Sequence, residues 1–310
     1  RTDQETELLL RTARGKLRLQ RDQRPAPFVD RTRYTGWNAM MALAMLRAGA
    51  VLADEWATGH ALLTLQRIRQ ENEASDAVAH TPGGVTGLLD DQVQTSAAAL
   101  DAHEATGDPD WLSWSLQIME RVWSEYWHGE EGGLFDTALG RTDESGLLPA
   151  RAKPVQDTPT PSPNGVAGVV ALRLHALTGR PEWQERATAL LAAFAGRAAE
   201  LGLYAATYLL AVDWHVNPVT HLVVVGEQHD PAVQNMHLAA LAGFVPRRAV
   251  QLLTPDAATG QGLPPALQGM LAVGQSPRGY ACTGNSCSPP AGDPSAWQAT
   301  LESLRAAVTA

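Results

Sequence analysis

Apolar positions recur at three- and four-residue spacing through the first two thirds of the chain: Trp37, Met41, Ala44, Ala48 and Val51, then Leu89, Val93, Ala97 and Leu100, then Trp111, Trp114, Ile118, Val122 and Tyr126. That period predicts helices with one face in a core. Three short signatures divide the helices into pairs: Ala53-Asp54-Glu55-Trp56, Thr106-Gly107-Asp108-Pro109-Asp110-Trp111 and Thr178-Gly179-Arg180-Pro181-Glu182-Trp183. In the later two a Gly ends one helix, a Pro stands near the first position of the next, and an acid and a Trp complete its first turn. The copies lie 55 and 72 residues apart, the length of an αα-hairpin with its loops, so one supersecondary unit recurs.

Near Asn217 the period changes. His221 to Gly226 reads as a buried strand, Ala232 to Leu241 as a helix and Ala249 to Leu253 as a second strand. A short third strand ends near Tyr280-Ala281-Cys282, and a terminal helix runs from about Pro294 to Val308. Strand, helix, strand predicts a right-handed parallel crossover. Val225-Gly226 lacks the Gly-x-Gly-x-x-Gly of a dinucleotide loop, so this reads as a structural appendage and no cofactor is expected. The expected fold is mainly α, with an N-terminal extension (1–35), a helical-hairpin domain (36–216) and a small α/β subdomain with its terminal helix (217–310).

Polar clusters keep the same beat as the corners. Thr35-Gly36-Trp37-Asn38, Leu89-Asp90-Asp91 and Ser162-Pro163-Asn164 each precede or open the first helix of a hairpin, with 53 residues from Trp37 to Asp90 and 73 from Asp91 to Asn164. If the hairpins curve into a toroid, these groups converge on a funnel at the N-terminal ends of its inner helices, where backbone N–H groups favour oxygen-rich ligands. The alternative is that each merely caps its own helix. Adjacent side chains on a helix point about 100° apart, so one of Asp90 and Asp91 is expected to be a cap or an ion-pair partner. His80, His103, His175 and His215 read as out of phase with the repeat. Long segments, Glu71 to Thr86 and Gly129 to Pro163, have the length of functional loops; within the second, Gly132-Gly133-Leu134-Phe135-Asp136 predicts a tight turn presenting an aromatic and an acid.

Composition narrows the partners. Charged residues are 18% and the formal net charge is −9, with no basic stripe to neutralise phosphates, which argues against nucleic acid. The longest apolar stretches, such as Val166 to Leu172, are too short to span a bilayer, and no signal-peptide pattern opens the chain; a cytoplasmic protein without a transmembrane segment is expected. The only two cysteines, Cys282 and Cys287, enclose four residues. Two thiols without a His neighbour make a poor zinc site; the pair reads as reduced and structural, with a redox pair as the alternative.

Taken in order, Arg24-Pro25 through Asp30, Thr35, Trp37-Asn38, Leu89-Asp90-Asp91, Glu104 to Asp108, Gly132-Gly133, Asp157 with Pro161-Ser162 and Asn164, Val223 to Gly226, and Cys282 to Cys287 resemble the C-terminal half of the DUF255 proteins, the thioredoxin-domain-containing, spermatogenesis-associated-20-like (YyaL-like) family. The resemblance implies an (α/α)6 toroid of the N-acylglucosamine 2-epimerase and six-hairpin glycosidase kind, here as a partial ring, preceded in the family by a thioredoxin-like domain. Departures are Arg31 and Thr32 where the family has an acid and a Lys, Gln92 where it has Tyr, and Pro163 where it has Gly. Upstream residues, a second chain completing the ring, or a reduced relative would each account for the missing hairpins.

Two functional classes follow. A carbohydrate-processing toroid would stack a sugar on Trp37, use Asp90 and Asp91 for acid/base work, and recognise hydroxyls with Asp30, Asn38 and Asn164. A non-catalytic subunit of a larger assembly would keep the funnel as a relic and offer its helices to a partner. Because three hairpins cannot close a six-hairpin ring, the face bearing Met40, Leu43 and Leu46 is expected to be bare unless further protein covers it.

Overall fold

The computed structural model describes residues 2–74, 77–139, 151–254, 277–284 and 286–309, and it divides into two compact units at Arg33 and Tyr34. The first unit carries α1 (Asp3–Asp22), which the periodicity did not announce. Its signal is local: Thr2 and Glu5 form a capping box, each side chain accepting the other's backbone N–H. No residue of α1 is buried.

The second unit is the expected array of helical hairpins. It pairs α2 (Thr35–Leu52) with α3 (Glu55–Asn72), α4 (Leu89–Thr106) with α5 (Pro109–Glu125), and α6 (Pro163–Thr178) with α7 (Pro181–Leu201); α8 (Ala206–Val216) follows a 3-10 turn. Helices α2, α4, α6 and α8 pack side by side as an inner row, and α3, α5 and α7 back them. Every residue of α4 from Asp91 to Glu104 is buried, so it is the central inner helix. The run Pro181–Val216 is long and apolar enough by composition to cross a membrane, but the 3-10 turn Gly202–Ala205 interrupts it and Trp183, Leu190, Leu191 and Phe194 lie in the protein core.

The corners explain the repeat. Ala53, Gly107 and Gly179 all adopt the left-handed conformation that ends a helix, and Asp54 and Asp108 cap the next one. His103 donates from Nδ1 to the Asp108 carbonyl and His175 to that of Arg180, both at 2.9 Å. Thr106 and Thr178 bond the carbonyl four residues back and accept the N–H two residues on. His103 and His175 therefore do keep the repeat phase, 72 residues apart; they are corner residues, and that corrects the reading of them as out of phase. The first corner lacks His, Gly and Pro, and its Trp56 is exposed whereas Trp111 and Trp183 are buried.

Helix α2 also departs from expectation. Its buried face is Gly36, Ala39, Ala42, Leu46 and Gly49, while Trp37, Met41, Ala44 and Val51 are exposed. The helix is apolar on every side, so periodicity had no contrast to read. Small residues carry the buried face because α3 and α4 both approach it closely.

After the short antiparallel pair β1 (Glu73–Ala74) and β2 (Ala77–Val78) that follows α3, the α/β unit has β3 (Thr220–Val225) parallel to β4 (Arg248–Leu253) through the crossover helix α9 (Pro231–Ala242), and antiparallel to β5 (Arg278–Thr283), which turns back as β6 (Ser286–Cys287). One sheet face buries Leu222, Val224, Val250 and Ala281 under Met236 of α9 and Trp297 and Leu301 of α10 (Pro294–Thr309). The other meets the array: Ala249 joins the helical core and Gln251 donates to the Leu177 carbonyl. Behind this contact Arg173 lies between Asp101 (2.7 Å) and Glu104 (3.0 Å), and Arg47 reaches Asp101 at 2.7 Å.

Gly165, in the first turn of α6, shows how tightly α8 seats. A Cβ there would stand 2.8 Å from the Tyr208 backbone nitrogen, which cannot swing aside. Gly165→Ala is expected to lower stability by about 1–3 kcal/mol, read as a lower urea midpoint at unchanged slope.

Candidate functional site

The N-terminal ends of α2, α4 and α6 are where the predicted site residues stand, and most of them are engaged with backbone. Thr35 donates from its hydroxyl to the Ala79 carbonyl and accepts from Asn72 Nδ2 at 2.7 Å, and its N–H reaches the His80 carbonyl at 2.9 Å. These bonds dock the 77–86 loop on α2. Gln92 holds the same loop, accepting the Val78 N–H at 2.9 Å and donating to its carbonyl at 2.7 Å. The departure at Gln92 is thus a structural clamp, and Pro163 sits at the first turn of α6, where proline fits.

Asn164 is buried and links Leu134 to Pro154, accepting the Leu134 N–H and donating to the Leu134 and Pro154 carbonyls at 2.8–3.0 Å. Asp157 accepts the N–H groups of Ser162 and Thr207, tying the starts of α6 and α8. Asn38 donates to the Tyr34 carbonyl one turn back. Asp30 belongs to the first unit, where it accepts the Thr32 N–H at 2.9 Å and hydroxyl at 2.6 Å. The Gly132-Gly133 turn forms with both glycines at positive φ, and the Phe135 ring it presents is covered by the Arg151 guanidinium at 4.0 Å.

What stays uncommitted is a smaller group around Gly36. Asp91 is buried; its Oδ1 accepts the Gly36 N–H at 2.9 Å and its Oδ2 accepts His80 Nδ1–H at 2.9 Å. A Cβ on Gly36 would meet Asp90 Oδ2 and Asp91 Oδ1 at 3.1 Å, so both carboxylates border this glycine. Asp90 is half-buried and, among the described residues, accepts only a long bond from Gln94, 3.3 Å. Burial raises both carboxyls above their ordinary range; the Gln94 bond at Asp90, and the His80 and Gly36 bonds at Asp91, offset it in part. The Tyr34 ring lies 5.0 Å from His80 and 4.9 Å from Trp37, which is 61% exposed.

The adjacent acids therefore divide as helix geometry requires. Asp91 orients His80, leaving imidazole Nε2 for a ligand, and Asp90 keeps a carboxyl oxygen beside it. His80 is the residue that the sequence reading set aside as out of phase with the repeat. Its signal was its place in a long polar loop preceding the paired acids. Among the described residues no group of three His, Cys, Asp or Glu is arranged to hold a metal ion.

No protein-family model matches the chain. It is 25% identical over 301 residues to spermatogenesis-associated protein 20 of Homo sapiens and 26% identical over 303 residues to that of Rattus norvegicus, covering 92% of this chain in each case. The resemblance carried by the motifs thus holds across nearly all of the sequence. The chain spans 38% of the length of these relatives. Solved structures similar to it include a GH76 α-mannanase from Bacteroides thetaiotaomicron (TM-score 0.49, 12% identity, 77% of this chain and 65% of that one) and cellobiose 2-epimerase from Spirochaeta thermophila (TM-score 0.41, 15% identity, 54% and 44%).

Proposed function

We propose that the group around Gly36 binds an uncharged sugar and carries out acid/base chemistry on it. The observation that carries this reading is the unequal pair: Asp91 is spent on Gly36 and His80, and Asp90 is left with one long bond and a raised pKa. A carboxyl whose pKa is raised by burial is a stronger candidate proton donor than a solvated one, and an imidazole oriented by a buried acid can take a proton. Trp37 and Tyr34 supply the aromatic wall on which a sugar face stacks. Asp90 and His80 act on the substrate and Asp91 positions His80. Asn38 and Asn164 lend shape through the loops they hold.

The test is a panel of neutral mono- and oligosaccharides screened by saturation-transfer NMR, followed by calorimetry on any binder. Trp37→Ala is expected to weaken binding about tenfold, the loss of one stacking contact. If no sugar binds, or if Trp37→Ala leaves affinity unchanged, the reading fails.

A specific observation favours a second reading. Trp37, Met41, Val51 and Leu52 of α2, the end helix of the inner row, and Trp56 and Leu63 of α3 are large apolar residues left exposed. This differs from the face expected from sequence, since Leu46 is buried and Met40 and Leu43 are half-buried. Covered by further protein, this surface would make the chain a subunit of a larger assembly. Light scattering on the isolated 310 residues distinguishes the two: a stable monomer that binds sugar favours the first, and self-association relieved by Trp56→Ser favours the second.

A further inference from the structure

Strand register places His221 of β3 opposite Cys282 of β5, and Cys282 opposite Cys287 of β6. Directly opposed residues of an antiparallel pair project to one face with their Cβ atoms about 4.5–5.5 Å apart. Cys282 and Cys287 are joined as a disulfide, which corrects the reading of a reduced pair, and Cys282 does have a His neighbour, supplied by the sheet.

The surroundings of the two sulfurs are unequal. Cys282 is 7% exposed, whereas Cys287 is open to solvent. Gly284, the positive-φ turn residue between them, walls a cavity of about 310 Å³ whose lining also includes His175, His215, His221 and Trp214 and, among the described residues, contains no carboxylate. Within this region His221 Nδ1 is buried without a hydrogen-bond partner. An orphaned polar atom of this kind is desolvated without compensation. Burial, and after it the neighbouring His175, hold His221 below the ordinary histidine range, so at neutral pH its ring is uncharged and able to accept a proton.

We propose that Cys282–Cys287 is a redox-active disulfide that exchanges with dithiols through the exposed Cys287 sulfur, with His221 moving the proton of Cys282. In the reducing direction a dithiol's thiolate attacks Cys287 Sγ, the Cys282–Cys287 bond breaks, and its electron pair leaves on Cys282 Sγ, which takes a proton through His221. The second thiol then attacks the reductant's own sulfur in the mixed disulfide and releases Cys287. The dithiol departs as a cyclic disulfide, oxidised by two electrons, and its two protons end on the two cysteines. In the oxidising direction His221 accepts the proton of the Cys282 thiol. An exposed sulfur to attack and a buried one to leave give the exchange a direction that a merely structural bridge lacks.

The experiment uses the folded 310-residue chain with dithiothreitol near pH 7.5, quenched with iodoacetamide and read by intact mass alongside circular dichroism. Both cysteines should become alkylated while helical ellipticity is unchanged. Glutathione, which cannot complete the second step intramolecularly, should leave its adduct on Cys287 in peptide maps. His221→Gln should slow reduction about tenfold or more with the fold intact, and His215→Gln should not. Reduction that occurs only as ellipticity is lost, or glutathione spread equally over both cysteines, would overturn the proposal; an unchanged rate in His221→Gln would remove His221 from it. Should His221→Gln fail to fold, the adduct map on the wild-type chain decides alone.

Discussion

Arg173→Met is expected to destabilise the chain by about 3–5 kcal/mol at pH 7, the usual consequence of stranding a buried charge. Arg173 is buried between Asp101 and Glu104, themselves buried, and the three sit where α4 and α6 meet the α/β unit. Burial alone would raise the Asp101 carboxyl; Arg173 and Arg47 outweigh it and hold it below the ordinary range. A depressed carboxyl contributes stability above its unfolded value, and in the wild type that contribution is lost as pH falls through the folded value. In Arg173→Met the sign turns over. The stranded acids are eased by protonation, so the deficit should shrink on going from pH 7 to pH 5, and Arg173→Met/Glu104→Gln should recover part of it at pH 7. Urea melts at both pH values measure this. A single variant within 1 kcal/mol of wild type at pH 7 would show that the network adds little beyond its volume.

The features legible in the sequence are those set by backbone geometry at fixed offsets. Gly107 and Gly179 announce themselves because a left-handed residue must end the helix there, and Pro109 and Pro181 because the first helical turn lacks N–H partners. The strands of the α/β unit were legible because their period breaks from the helical one at Asn217. Burial on α2 was not: its core face is Gly36, Ala39, Ala42 and Gly49, chosen by the closeness of α3 and α4, and no single-helix pattern encodes a neighbour's distance.

The candidate site was half legible for a related reason. Paired acids at a helix start drew attention to this end of the array, yet Asn164, Gln92 and Thr35 turn out to be committed to backbone or side-chain groups that are distant in sequence. His80 joins Asp91 only because Thr35, Asn72 and Gln92 fold the 77–86 loop onto α2. Such a contact depends on loop closure, which leaves no periodic trace in the chain.

Asp90→Asn is expected to stabilise the protein while removing the proton transfer proposed for that carboxyl. Desolvation is the largest influence on Asp90, ahead of the Gln94 bond, and with Asp91 beside it the carboxyl is raised above 3.8. A group whose folded pKa is raised lends stability below its unfolded value and loses it as pH climbs through the folded one, so at pH 7 the ionised Asp90 is a burden on the fold. An amide removes that burden and retains an oxygen for Gln94; the gain should be about 0.5–2 kcal/mol, the trade between stability and activity seen at functional acids. It should shrink as pH falls through the raised folded pKa of Asp90 and vanish once the wild-type carboxyl is protonated. On any sugar the wild type turns over, Asp90→Asn should lose about 10²–10⁴ in kcat with binding largely retained. Asp91→Ala provides the contrast, because it leaves the buried Gly36 N–H without an acceptor and should lower stability by about 1–3 kcal/mol. If Asp90→Asn proved less stable than wild type at pH 7, Asp90 would be a structural helix-start acid, and the proton-transfer role would have to rest on His80 alone.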